Sequence, residues 1–217
     1  IPIINNNKTI LKGCNNIISW TTAPCRTDKF KLEMYNEPTY IVTVANGTNN
    51  YGTGNKFHIN GNIITMSVNL LTNTTVKFDQ SDYTNASHPL KFSITENGTH
   101  NSGSEYTTGV TYNGTPGQYG AYTQIVTGST PITLYYYCSN HNNMGAISNI
   151  IQGFIADVSS SSMIYNWNPK DQLSTIEKIK FRLTGITNGV NTNISGIGNT
   201  EFEIIESISD PLTNSSL

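Results

Sequence analysis

Apolar and polar residues alternate in short runs along most of this 217-residue chain. Ile64, Met66, Val68 and Leu70 alternate with Thr65, Ser67 and Asn69, and Val76 and Phe78 with Thr75, Lys77 and Asp79. Further on, Leu90, Phe92 and Ile94 alternate with Lys91, Ser93 and Thr95, and Ile132, Leu134 and Tyr136 with Thr133, Tyr135 and Tyr137. A period of two is that of a strand with one face on a core and one in water. Asn60-Gly61, between apolar runs at 57–59 and 63–66, predicts a two-residue hairpin turn. Short strands punctuated by Gly, Asn and Pro predict an all-β sandwich or barrel.

The pattern divides the chain into three parts: an N-terminal segment at 1–35, a main β domain at 36–158, and a C-terminal extension at 159–217 that follows the serine tract at 159–162. The extension's best strands are 179–183, with Lys178, Lys180 and Arg182 outward, and 202–208. It is either an extra pair of strands on the main sandwich or a small second unit.

Composition strengthens the β reading. Charged residues make up 12% of the chain, against about 25% in a typical globular protein. Asn, Thr, Ser and Gly take their place, and these disfavour helix and favour turns. A net charge of −2 gives no footprint for nucleic acid, which needs clustered Lys and Arg. No apolar run approaches the roughly 20 residues that span a bilayer. The chain begins at Ile1, so it is expected to be processed or part of something longer. Eight Asn-X-Ser/Thr triplets occur, about what an Asn-, Ser- and Thr-rich chain yields by chance, so they carry no argument for glycosylation.

The three cysteines are an odd number. Cys14 and Cys25 lie close enough in sequence for a disulfide closing a short loop, which would place the chain in an oxidising compartment; the alternative is three free thiols in a reducing one. Cys138 is left over.

Cys138, His141 and Met144 put a thiolate, an imidazole and a thioether within seven residues. One Cys, two His and a weak axial Met is the donor set of a blue-copper centre. The second imidazole must come from elsewhere, and strand parity selects His88. Counting back by twos from Cys138 gives Tyr136, Leu134 and Ile132, and counting forward from His88 gives Leu90, Phe92 and Ile94, so both stand on core-facing sides at strand ends. If those ends lie together, the loop after Cys138 folds over them. The competing readings are a buried free cysteine beside an ordinary polar loop, and zinc, which also accepts Cys and two His but has no use for the methionine. His58, out of phase with Phe57 and Ile59, reads as a solvent-facing strand residue, and His100 as part of a turn-rich loop. No paired general acid and base, nucleophile motif or phosphate loop is visible, so an enzyme is not expected.

The Cys-x2-His-x2-Met loop with a distant upstream His resembles the cupredoxins. A closer likeness runs through 40–145, in Tyr51-Gly-Thr-Gly-Asn, Phe78-Asp-Gln-Ser-Asp, His88-Pro-Leu-Lys-Phe-Ser, Gly98-Thr-His, Glu105-Tyr-Thr-Thr-Gly-Val, Gly114-Thr-Pro-Gly and Leu134-Tyr-Tyr-Tyr-Cys-Ser-Asn-His. These strings are similar to a cupredoxin-like module of structural or fibre-like proteins from marine phages and large DNA viruses, and of secreted proteins. The resemblance implies a Greek-key β-sandwich holding one type-1-like copper ion, with His88, Cys138 and His141 as equatorial ligands and Met144 axial. It also implies a virion or extracellular surface setting, and as partners copies of the same chain or other structural proteins in an assembly. In one respect the chain departs from the family: His141 is flanked by Asn140, Asn142 and Asn143, a polar surround where electron-transfer cupredoxins carry an apolar docking patch. A purely structural subunit with an empty site, or a soluble electron carrier, are the other functions this pattern allows.

Overall fold

The computed structural model describes residues 4–5, 9–11, 15–20, 28–63, 68–169, 176, 178–197 and 202–205. Among them the regular structure is all β apart from two short 3-10 turns, Tyr83–Asn85 and Gly98–Asn101. None of their helices is long and apolar enough to cross a membrane.

The chain divides into two compact units, Tyr35–Gly153 and a second made of Ile1–Met34 with Phe154–Leu217. The N-terminal segment and the C-terminal extension therefore build one unit together, and the main β domain ends at Gly153 rather than at 158. Strand pairing explains the difference. Phe154–Ser159 pairs antiparallel with Lys29–Tyr35, and Ile164–Trp167 pairs with Asn16–Trp20. Lys178–Thr187 lies between Lys29–Tyr35 and Phe202–Ile205 in the same sheet. There Arg182 and Lys31 hold Glu33, which is otherwise buried, at 3.2 and 3.0 Å. Cys14 and Cys25, and with them the expected disulfide, lie outside the described residues, as does the start of the expected strand at 64–67.

The central unit is a sandwich of two sheets. One has four strands in the order Leu90–Ser93, Ile132–Cys138, Ala146–Ile151, Val68–Leu71. The other has six, in the order Val110–Asn113, Tyr122–Val126, Thr75–Asp79, Thr39–Asn49, Gly52–Ile59, Asn62–Ile63. Their inner faces supply one core, with Leu70, Leu90, Phe92, Leu134, Tyr136 and Cys138 from the first and Val42, Val44, Phe57, Val76, Phe78 and Ile125 from the second. Phe78 is edge-on to Phe92 at 5.5 Å between ring centres, a favourable aromatic geometry. The expected hairpin is present: Asn60 and Gly61 both take positive φ, 50° and 81°, as a tight primed turn requires, and His58 pairs with Ile63 across it.

Four local expectations fail for reasons of covering and termination. On Ile132–Cys138 the first residue, Ile132, is exposed, and Tyr137, expected in water, is buried against Gly98 and His100. Ile94, expected in the core, is 62% exposed. Its strand stops at Ser93, whose buried hydroxyl accepts from the Thr95 N–H and donates to the Ser104 carbonyl, turning the chain away. Val68–Leu71 has no water face, since all four residues are buried. His58 is half-buried rather than solvent-facing, and its Nε2 is buried without a hydrogen-bond partner among the described residues.

Candidate metal centre

Leu90–Ser93 and Ile132–Cys138 are antiparallel neighbours, with Leu90 opposite Cys138. His88, two residues before Leu90, thus continues the inward face just past the end of that ladder, beside the cysteine. Its approach is fixed by Gln80, a buried side chain whose Nε2 donates to the His88 carbonyl at 2.9 Å and whose Oε1 accepts from the Leu90 N–H at 3.1 Å. Pro89 between them has no N–H to offer, and its carbonyl accepts from the Ser139 N–H at 3.0 Å. The His88 N–H is taken by the Asn85 carbonyl at 2.8 Å. The N–H and carbonyl of His88 are thus both paired, which fixes the chain where the imidazole leaves it.

The loop after Cys138 turns back over the same end. The Cys138 sulfur lies 3.8 Å from His88 Nδ1 and 3.6 Å from His141 Nδ1, and the two imidazole rings are 4.5 Å apart between centres. All three ligand atoms lie within 4.8 Å of one another. A trigonal metal with metal–sulfur and metal–nitrogen bonds of about 2.3 and 2.0 Å sets its sulfur and nitrogens roughly 3.7 Å apart, so the group has the dimensions of a coordination shell. His88, Cys138 and His141 form a group that can hold a metal ion. Cys138 is fully buried, His88 half-buried and His141 exposed, so the soft donor faces the core and one imidazole faces water. Met144 is buried in the same core and borders the same open groove as His88 and His141.

The electrostatics are those of a site kept neutral. Burial pushes the Cys138 thiol up, against backbone N–H donation to its sulfur from Asn140 and His141. Burial, and then the nearby His141, push the His88 imidazole down. A cation that binds here must displace the thiol proton, and at His88 it meets an imidazole whose neutral, ligating form burial favours.

The loop conformation rests on residues whose part was not visible in the sequence. Asn143, at φ 63°, exchanges two hydrogen bonds with Asn97: its N–H donates to Asn97 Oδ1 at 2.8 Å, and its Oδ1 accepts from Asn97 Nδ2 at 3.1 Å. Its carbonyl accepts from Lys56 Nζ at 2.7 Å and from Asn49 Nδ2 at 3.3 Å. Gly145 presses so closely on the Tyr136 backbone that a Cβ would sit 1.8 Å from its carbonyl oxygen. His100 is no member of the donor group, but its Nε2 lies 2.9 Å from the Cys138 carbonyl. Gln80, Asn97 and Asn143 each read as ordinary turn polars by composition. Only the gathering of Asn residues in the ligand loop hinted at a hydrogen-bonded lock.

The fold and the site define an all-β sandwich protein with a thiol and two imidazoles poised around one point. No family model, curated protein or solved structure matches the chain.

Proposed function

We propose that the central unit is a cupredoxin-like copper-binding module, carried by a structural protein of a virion or of an extracellular surface. The observation that carries the copper part is the convergence of Cys138 Sγ with the Nδ1 atoms of His88 and His141 at coordination-shell spacing. A set of one thiolate and two imidazoles with a buried thioether at hand suits copper by softness and geometry. Zinc gains nothing from Met144.

In this reading the Cys138 thiolate and the His88 and His141 imidazoles would hold the ion, with the buried Met144 thioether at hand as a further weak donor. Bound copper would bring one-electron redox chemistry to the site. The chain's contribution is to hold the donors in place beforehand: Gln80 fixes the His88 strand entry, and the Asn97–Asn143 pair fixes the loop. The polar flanks of His141 argue against an apolar docking patch for a partner protein. The low charge, the Asn- and Thr-rich composition and the resemblance of 40–145 to a viral module support an assembled setting.

A second reading is a purely structural subunit with an empty site. In its favour, the thiol lies within hydrogen-bonding range of both imidazoles. Adding Cu(II) to the purified protein separates the two. The copper reading predicts an intense visible thiolate-to-copper absorption that is absent in Cys138→Ser. Folded protein that takes up no copper, or shows the same spectrum in both forms, leaves the structural reading.

A further inference from the structure

We infer that Lys56 is a positioning residue of this centre, which both fixes the ligand loop and biases a bound copper ion toward its monovalent state. The inference rests on the copper reading above.

Lys56 lies on the Gly52–Ile59 strand, one residue before core Phe57, and parity assigns its side chain to the face away from the core. Lysines at such positions normally reach out to water. This one is 2% exposed, because the loop after Cys138 lies over it. Its Nζ donates to the Asn143 carbonyl at 2.7 Å, one residue before Met144, and the residue borders the same groove as His88, His141 and Met144. Among the described residues no carboxylate comes within ion-pair distance of it; the ion-paired cations there are Lys31, Lys91 and Arg182. Burial alone pushes its pKa down, with no acidic neighbour to oppose it. A buried ammonium without a counter-ion is costly, and a hydrogen bond to a carbonyl offsets part of that cost without cancelling the charge.

The consequence follows from charge. With the Cys138 thiolate and neutral imidazoles, the centre carries one net positive charge when copper is divalent and none when it is monovalent. A second cation that borders the same groove, with no ion-pair partner among the described residues, penalises the first state more than the second. The couple takes one electron from a mediator, with no proton moved and no bond broken.

Asn49 supplies the control, since its amide donates to the same Asn143 carbonyl and carries no charge. Copper-loaded protein is titrated potentiometrically with ascorbate and ferricyanide. Lys56→Met should lower the Cu(I)-to-Cu(II) affinity ratio roughly tenfold, or about 59 mV for one electron, and Lys56→Gln, which keeps an N–H donor, should do the same should the Met variant fail to fold. Lys56→Arg and Asn49→Ala should stay within about twofold of wild type. The inference is overturned if both neutral Lys56 variants stay within twofold, or if Asn49→Ala shifts the ratio as much as they do. Wild-type protein without a thiolate-to-copper band removes the copper reading and this inference together, whereas a normal band with an unmoved ratio removes only the inference.

Discussion

Cys138 and His88 are displaced in opposite directions from their ordinary acidities, and both displacements favour the uncharged form. The thiol, raised chiefly by burial, holds its proton more tightly folded than unfolded, where its value is about 8.5. Its contribution to stability is complete below that pH and is lost as pH rises through the folded value. The imidazole, lowered by burial and by His141, contributes fully above its unfolded value of about 6.5 and loses that contribution as pH falls through the folded value. Metal-free protein should therefore be most stable between about pH 6.5 and 8.5. Urea midpoints measured across pH test this: Cys138→Ala should flatten the alkaline limb and His88→Phe the acid limb. Limbs unchanged by either substitution would contradict the assignment. Both residues were legible as a pair because strand parity is local, and each sits at the end of its own alternating run. Lys56 was not legible. Parity turns it toward water, and the carbonyl that covers it comes from 87 positions further along the chain.

At the scale of elements, the loop from Cys138 to Gly145 is closely fitted to the strand before it. Its tail passes over Tyr136 with no room for a side chain at position 145, and Asn143 is held by donors from three separate segments, at Asn49, Lys56 and Asn97. Gly145→Ala must push the loop off the strand. It should cost about 1–3 kcal/mol, the usual penalty for overpacking, and weaken copper uptake by moving His141 and Met144 away from Cys138. Denaturation midpoints with copper titration check both effects, and a variant as stable and as tightly loaded as wild type would show that the loop is not held as described. Alternation was readable residue by residue at Thr75–Asp79, whereas at Ile132–Cys138 it found the strand but not its faces, since Ile132 is exposed and Tyr137 buried. Where alternation misled, the cause was context: at Ile94 a serine hydroxyl ended the strand, and at Val68–Leu71 both faces are covered.

At the scale of the whole chain, alternation identified strands but not their partners. The flanks looked like separate appendages because pairing between residues near 30 and residues near 156 or 182 has no local trace in sequence. The structure joins them into a unit of their own, with the Glu33–Arg182 contact inside it. The proposed assembled role belongs to this scale. It predicts that purified chain at high concentration forms defined oligomers or polymers by light scattering, and a strictly monomeric chain under all loading conditions would favour a soluble carrier. The account as a whole depends on one sulfur and two nitrogens meeting at a single ion, and copper-edge X-ray absorption of the loaded protein reads that directly. The expected result is one short sulfur neighbour and two nitrogens at about 2.0 Å, with the sulfur lost in Cys138→Ser. A first shell of nitrogen and oxygen only, unchanged by that substitution, would contradict it.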